Sequence, residues 1–364
     1  MKVTRERDRE TVTYRSSLLP VTSYRRLLPS LLAVTLRRHF LSSLLVAASW
    51  GVVDYAAQAN AQAYPVRPIR LLVPLAPGGG NDTVARLVGN KLTESLGQQV
   101  VVENRPGGAG VIASEIVAKS PADGYTLYLA STTFTSAPSL VTKLPFDTLK
   151  DFAPVTRLAV VPGALIVHAS LPVKSVREVI ALARSKPAQV TFGSAGIGSG
   201  SHLGGELFKL LARVDMVHVP YKGSALVTTA LLSGEVMTAF TNPISSLPHV
   251  KTGRIRNLGV TSAERWPLLP GFPTLAESGV PGYELLIWNG IVVRAGTPPA
   301  IIERLHRELV KAAGAADVVN HLASDGSRPM VQSPAEFGVF LRNEVAKWDK
   351  VARAAGLGTD QVRK

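Results

Sequence analysis

Three glycine-rich loops contain the residue types that could bind an anion. They cover residues 77–82 (PGGGND), 104–110 (NRPGGAG) and 193–202 (GSAGIGSGSH), and each lies between an apolar run and a helical pattern. Glycine lets the backbone turn tightly and brings its N–H groups close to a ligand. The helix that follows adds unpaired N–H groups and a partial positive charge. Loops of this kind suit a carboxylate or a phosphate.

Carboxylate fits these loops better than phosphate. The sequence lacks the G-x-x-x-x-G-K-[ST] phosphate loop, and residues 78–81 do not form a G-x-G-x-x-G dinucleotide motif. Taken singly, each loop could also be a purely structural turn between a strand and a helix. Two such loops in separate halves of the chain could face each other across a cleft, which favours a binding site for a small anion.

Catalytic and metal-binding groups are scarce in this sequence. It contains no cysteine, which excludes disulfides, thiolate zinc sites, iron–sulfur clusters and thiol nucleophiles. Neither G-x-S-x-G nor H-E-x-x-H occurs. His168, His202, His218 and His249 have no carboxylate at a spacing that suggests a triad. We therefore expect no catalytic residue, no metal ion and no cofactor.

Structural roles compete with binding roles at three positions. Asp82 follows the first glycine run, where we expect it to cap the next helix. His202 either contacts a ligand or bonds to its own loop, and the spacing does not decide between the two. His218, within the apolar stretch MVHVP at 216–220, is predicted to be a strand residue that fills the core.

Short apolar runs alternate with helical patterns after residue 63. The predicted strands cover residues 69–75, 100–102, 126–130, 165–167, 190–192, 236–240, 257–261 and 287–293. Helix starts are indicated by capping boxes at 175–178 (SVRE) and 333–336 (SPAE), and by Thr297-Pro298. This alternation predicts an α/β fold with largely parallel strand pairing.

Residues 1–63 have the composition of an export signal. Eight arginines accompany a charge-free run at 40–53, and Ala61-Gln62-Ala63 provides an A-x-A cleavage site. The run is too short to span a bilayer comfortably, although a buried helix or a membrane anchor is the alternative. We predict cleavage before Tyr64 and a periplasmic protein. RRHFL at 37–41 matches the core of a twin-arginine signal, so both that route and the general secretory route stay open.

The charge of the chain is strongly basic. Its formal net charge is +14, and removal of residues 1–63 leaves 31 basic and 22 acidic side chains, a net charge of +9. The basic residues are scattered, without a dense run or interleaved aromatic residues, so we expect no nucleic-acid partner. Such a protein attracts small anions instead. We expect it to be a monomer.

From Tyr64 to about Gly356 the chain resembles a known family. That family is the Bug family, the extracytoplasmic solute-binding proteins of tripartite tricarboxylate transporters. The matching stretches are YPVRPIR (64–70), PGGG (77–80) with Asp82 and Ala85-Arg86, VENRPG (102–107), PADGYT (121–126), LPFD (144–147), DFAPV (151–155), SAG (194–196), HL (202–203), VPYKG (219–223) and GTPP (296–299).

The resemblance implies an α/β, two-lobed type II periplasmic-binding-protein fold with a ligand cleft between the lobes. It implies that residues 64–167 plus 287–364 form lobe 1 and that residues 168–286 form lobe 2. It also implies that small carboxylates bind to the loops of both lobes. The expected ligand-binding residues are Gly79, Gly80, Asn81, Asp82, Thr132, Thr133, Ser194, Ala195, Gly196, Gly198, Ser199, Ser201, His202 and Thr241.

We therefore expect a solute-binding protein that captures a small carboxylate for uptake or sensing. Its partners would be membrane transporter subunits or a sensor. The alternative is an exported enzyme that acts on a small carboxylate, and an acid–base pair within hydrogen-bond reach in the cleft would favour it. Thr241-Asn242 stands where many relatives have Asp-Asn, which argues against a ligand with an ammonium group.

Overall fold

The computed structural model describes residues 64–357, except the side chains of residues 243–245. The predicted signal peptide, its cleavage site and the twin-arginine motif involve residues 1–63, which lie outside the described residues. Within the described part of the chain, no helix has both the length and the apolar character that a membrane span requires.

The strands form two separate sheets. The strands are β1 (Ile69–Val73), β2 (Val100–Asn104), β3 (Thr126–Ser131), β4 (Phe152–Pro162), β5 (Ala164–His168), β6 (Thr191–Ser194), β7 (Val217–Pro220), β8 (Thr238–Thr241), β9 (Ile255–Val260), β10 (Leu286–Arg294) and β11 (Arg328–Pro329). The order is β11-β4-β10-β3-β1-β2 in the first sheet and β7-β6-β8-β5-β9 in the second. The first sheet and the helices packed on it make up the first lobe, and the second sheet with its helices makes up the second lobe.

Helices connect most of these strands. They are α1 (Gly80–Leu96), α2 (Val111–Ala118), α3 (Thr132–Leu140), α4 (Val176–Ser185), α5 (Gly200–Ala212), α6 (Ser224–Ser233), α7 (Pro243–Lys251), α8 (Pro299–Gly314), α9 (Ala316–Ser324) and α10 (Pro334–Ala354). The chain leaves the first sheet after β4, passes Gly163 and enters the second sheet at β5. It returns to the first sheet between β9 and β10.

Strand pairing is mixed, so the expectation of largely parallel sheets was wrong. β1 pairs in parallel with β2 and β3, but β10 runs antiparallel to β3 and β4. In the second sheet β6 pairs in parallel with β7 and β8, whereas β5 runs antiparallel to β8 and β9. The reason is the crossing of the chain between the lobes, because β5 and β10 each enter a sheet from the side of the other lobe.

All eight strands predicted from the sequence overlap an observed strand, but β4 and the two-residue β11 were missed. The 11-residue strand β4 contains Pro154 and the buried Arg157, which obscure its apolar pattern. The Arg157 guanidinium lies 4.0 Å from the ring centroid of Phe340, which makes its burial tolerable. The antiparallel pairing of β4 with β10 then joins two chain segments that are far apart in sequence.

The predicted helix starts were close to the observed ones. At α10 the capping box is complete, because Ser333 Oγ accepts from the Glu336 N–H and the Glu336 carboxylate accepts from the Ser333 N–H. At α4, Ser175 Oγ accepts from the Glu178 N–H, but Glu178 accepts from the Lys174 N–H instead of closing the box. Helix α8 begins at Pro299.

The last helix packs against both lobes. Phe337 and Leu341 belong to an apolar cluster with first-sheet residues, whereas Trp348 and Val351 pack with the core of the second sheet. Between them the buried Glu344 accepts hydrogen bonds from the indoles of Trp288 and Trp348, at 3.2 and 2.9 Å. α10 therefore ties the two lobes together on the C-terminal side. The lobe boundaries expected at 167/168 and 286/287 remain a prediction.

Candidate functional site

A cavity of about 380 Å³ lies where the two lobes meet. The first lobe contributes residues near the ends of β1 and β3 and near the start of β10, such as Leu75, Ser131 and Ile287. The second lobe contributes residues at the ends of β6 and β8, such as Ala195, which follows β6, and Thr241, the last residue of β8. A cavity of this size can enclose a small organic molecule between two rigid bodies.

Four helices begin at this cavity. The first residues of α1 and α3 in the first lobe, Gly80 and Thr132, line it, as do the first residues of α5 and α6 in the second lobe, Gly200 and Ser224. Each helix start presents unpaired N–H groups and a partial positive charge. The described residues that line the cavity include no lysine or arginine. The site therefore attracts an anion through backbone groups.

Four buried polar atoms that line the cavity have no hydrogen-bond partner within the described chain. They are Asn81 Nδ2, Thr132 Oγ1, Thr241 Oγ1 and Asn289 Nδ2. A buried polar group without a partner costs about 1–3 kcal/mol, so such groups mark positions where a ligand completes the bonding. Both lobes supply them, and a ligand bonded to all four would hold the lobes together.

Asp82 supports the first glycine loop from behind. α1 begins at Gly80 with Gly79 as its N-cap, so the expectation that Asp82 caps this helix was wrong. Its Oδ2 accepts instead from the Gly78 N–H and from Arg86 Nε, both at 3.0 Å. Burial opposes ionisation of Asp82, but hydrogen bonds from Arg86, Gly78 and Asn104 outweigh it, so the pKa of the carboxyl lies below its usual value.

The third glycine loop is organised by its own side chains. Ser201 Oγ accepts from the Ala195 N–H at 2.8 Å, and Ser199 Oγ caps α5 by accepting from the His202 N–H. His202 is fully buried, and its Nδ1 accepts from the Gly198 N–H at 3.1 Å. Of the two roles open for His202, the structure therefore shows the bond to its own loop.

A pair of stacked imidazoles lies behind this loop. The rings of His202 and His218 are 4.0 Å apart, and His218 Nε2 lies 2.6 Å from Ser194 Oγ. His218 is only partly buried, on β7, and it also stacks on Phe192. Burial, together with the charge of Lys209, lowers the pKa of His218 from 6.5 to about 4. Burial, His218 and Lys209 lower the pKa of His202 as well.

The structure brings nine of the fourteen expected ligand-binding residues to the cavity. These nine are Gly79, Gly80, Asn81, Thr132, Thr133, Ala195, Ser199, Ser201 and Thr241. The other five do not line it, because their side chains or backbone support the loops from the protein side. These five are Asp82, Ser194, Gly196, Gly198 and His202.

Sequence reasoning missed several lining residues. Ser224 follows Gly223 at the start of α6, and the stretch VPYKG before it offered the same strand-to-helix signal as the other glycine loops. Asn289 is a buried polar residue inside the apolar strand β10, which is a weaker signal. Asp325 gave no signal, and Asn242 was noted only as the neighbour of Thr241, because the sequence does not show that their segments meet.

Two mixed α/β lobes around a cavity lined by helix starts define a periplasmic binding protein. Residues 84–357 match the model of the tripartite tricarboxylate transporter family receptor, TctC, and the chain belongs to this family. It is 37% identical to Protein BugT of Bordetella pertussis over 306 residues, which cover 83% of this chain and 93% of that protein. The family, the fold class and the role of a solute-binding receptor, expected from the sequence, are confirmed.

Two solved structures from Rhodopseudomonas palustris are similar in fold and sequence. Rpa4515, solved with adipate, has a TM-score of 0.76 and 40% identity, and the match covers 80% of this chain and 98% of that chain. MatC, solved with bound malate, has a TM-score of 0.74 and 31% identity, and the match covers 79% of this chain and 99% of that chain.

Proposed function

We propose that this receptor captures a small carboxylate in the cavity between its lobes. The observation that carries the proposal is the convergence of four helix starts on a cavity whose described lining includes no lysine or arginine. Aligned N–H donors stabilise a carboxylate by charge-assisted hydrogen bonds, without a neutralising side chain. The two similar structures that hold adipate and malate support the same class of ligand.

The unpaired groups give the carboxylate specific partners. Asn81 and Thr132 belong to the first lobe, and Thr241 ends β8 in the second lobe. A carboxylate offers two oxygens that can accept from several donors at once. A bound ligand would therefore bond to both lobes and favour the conformation in which they enclose it. This mechanism is capture, and it needs no covalent step.

The enzyme alternative has no observation in its favour. It calls for an acid–base pair within hydrogen-bond reach in the cleft. His321 and Asp325 are the two lining residues of acid–base type, and within the described part of the chain no hydrogen bond joins their side chains; the Asp325 N–H donates to the His321 carbonyl instead. Capture and release of an unchanged ligand is the function that these residues support.

We further propose that the protein acts in the periplasm after cleavage before Tyr64. The charge-free run at 40–53 and the A-x-A site at 61–63 support this location. Its partners would be the membrane subunits of a tripartite transporter or a sensor, and it would act as a monomer. N-terminal sequencing of the exported protein tests the cleavage site, and a start within residues 1–50 would overturn it.

Thermal-shift measurements and calorimetric titration test the carboxylate. We expect mono-, di- or tricarboxylates to stabilise the purified protein, and nucleotides and amines without a carboxylate to have no effect. A ligand at about 100 times its Kd adds roughly 2.7 kcal/mol to the free energy of unfolding. Mass spectrometry of the ligand that co-purifies gives an independent answer. A screen in which only nucleotides or cations raise the Tm would overturn the proposal.

A further inference from the structure

One acidic residue lines the cavity among the described residues. This is Asp325, at the C-terminal end of α9, and it is half-buried. Burial raises the pKa of the Asp325 carboxyl, and this outweighs the opposing effects of His321 and Asn242. Within the described chain no lysine or arginine forms an ion pair with it. Asn242, which bonds to this carboxyl, and His321 therefore offset its buried charge only in part, and a donor group in the cavity can offset the rest.

The turn that carries Asp325 is fixed from both lobes. Asn242, which follows β8 in the second lobe, donates from Nδ2 to the Asp325 carbonyl at 2.9 Å. Trp266 Nε1 donates to the next carbonyl, that of Gly326, at 2.7 Å. The Ser327 N–H closes the turn on the Leu322 carbonyl at 2.8 Å. A side chain on such a turn presents its charge at a defined position, as a specificity residue must.

The cavity thus contains two kinds of electrostatic surface. The helix starts of α1, α3, α5 and α6 favour an anionic group, whereas Asp325 favours a hydrogen-bond donor and repels a second carboxylate beside it. The sequence argument against an ammonium group rested on the uncharged Thr241. The structure brings an acid from the first lobe, Asp325, next to Asn242, the neighbour of that threonine.

We propose that Asp325 determines specificity by selecting carboxylates that also carry an ammonium or hydroxyl group. The carboxylate binds at the helix starts, and the donor on the far end of the ligand bonds to the Asp325 carboxylate. A dicarboxylate that places its second charge near Asp325 binds more weakly. This inference rests on the proposed function, because it requires a carboxylate at the helix starts.

Calorimetric titration with matched ligands tests the inference. The probes are straight-chain carboxylates of four to six carbons that end in a methyl, hydroxyl, ammonium or second carboxylate group. For the wild-type protein we expect the ammonium ligand to bind more tightly than the methyl ligand at one or more chain lengths. Asp325→Asn should weaken that ligand by about tenfold to a hundredfold and should strengthen the dicarboxylate of the same length.

Asp317→Asn is the matched control. It makes the same change on the same helix, at a largely exposed residue that pairs with Lys91 outside the cavity, and should leave the ligand order unchanged. If the wild-type protein does not distinguish the ammonium from the methyl ligands, the inference is overturned without recourse to a variant. The same holds if Asp325→Asn leaves their ratio unchanged. If the wild-type protein binds none of the carboxylates, the proposed function fails first.

Discussion

Ser136 Oγ donates a 3.0 Å hydrogen bond to the carbonyl of Gly198 and so joins the first lobe to the second beside the cavity. Gly198 has a φ of +77°, and a Cβ at this position would lie 3.1 Å from Ser136 Oγ and 3.3 Å from Leu140 Cδ1. This glycine therefore permits the close approach of the two lobes. Gly198 therefore contributes to the contact between the lobes and does not line the cavity.

Gly198→Val should weaken ligand binding by about tenfold or more, because its side chain separates two lobes that must both contact the ligand. Gly253→Val is the control, since Gly253 has a similar φ of +70° and open space around its Cβ position. Both variants should lose about 1–2 kcal/mol of unfolding free energy from left-handed strain. Calorimetric titration and urea denaturation measure the two effects. Equal losses of affinity in both variants would contradict the account.

Thr241→Val should separate binding from stability. The Thr241 hydroxyl is buried without a partner in the described chain, so its replacement by a methyl group should leave the Tm of the free protein unchanged or raised. Ligand affinity should fall by about tenfold to a hundredfold. In the control, Thr156→Val, the hydroxyl that donates to the Gln332 carbonyl is lost. Thr156→Val should be less stable than the wild type and should bind the ligand normally. If instead Thr241→Val loses stability and keeps its affinity, the Thr241 hydroxyl has a structural role.

Much of the fold could be predicted from local sequence signals. The glycine loops at 77–82 and 193–202 lie where the patterns placed them, because glycine, strand and helix signals are all local. The mixed pairing was not predictable in this way. It depends on β5 and β10 entering each sheet from the other lobe, and no residue within those strands encodes the direction of their neighbours.

Local sequence signals pointed to site residues only within the glycine loops, whereas Thr132, Thr133 and Thr241 came from the resemblance to the family. Asn81 and Ser201 lie in glycine loops and were identified. Asn289 was missed because the face of β10 that meets the cavity depends on its register with β3 and β4. Asp325 was missed because its position follows from the packing of the α9 turn against Asn242, which is 83 residues away in sequence.

Asp82→Asn should reduce stability in a pH-dependent way. The pKa of the Asp82 carboxyl is lower in the folded protein than in the unfolded chain, where it is near 3.8. The ionised carboxyl therefore adds to the unfolding free energy above pH 3.8, and this contribution is lost as the pH falls through the pKa of the folded protein. We expect the variant to be less stable than the wild type by about 1–2 kcal/mol at pH 6, and the difference to shrink below pH 3.8. Urea denaturation at pH 6 and pH 3 measures it, and a constant difference would contradict the Arg86–Asp82–Gly78 linkage.

Ser201→Ala should weaken binding without abolishing it. The hydroxyl lines the cavity and also accepts from the Ala195 N–H, but the backbone donors of α5 remain in the variant. We expect affinity to fall by about tenfold to a hundredfold. Ser333→Ala, which removes a helix cap far along the chain, controls for a general loss of stability. Complete loss of binding in folded Ser201→Ala would mean that side chains, and not backbone N–H groups, dominate recognition.

His218→Gln should make stability less sensitive to acid. In the folded protein, burial and Lys209 lower the pKa of His218 to about 4, whereas the unfolded chain binds the proton near pH 6.5. Between these values the unfolded state holds more protons, so the unfolding free energy of the wild type falls as the pH is lowered from 6.5 towards 4.

Glutamine cannot take up the proton, but its amide can still bond to Ser194 Oγ. Urea denaturation at pH 7 and pH 5, with circular dichroism at pH 7 as a check of the fold, should show a smaller loss in the variant. His202 retains its own share of the acid sensitivity, because its pKa is lowered in the same direction. A loss as large as that of the wild type would mean that His218 is already charged in the folded protein.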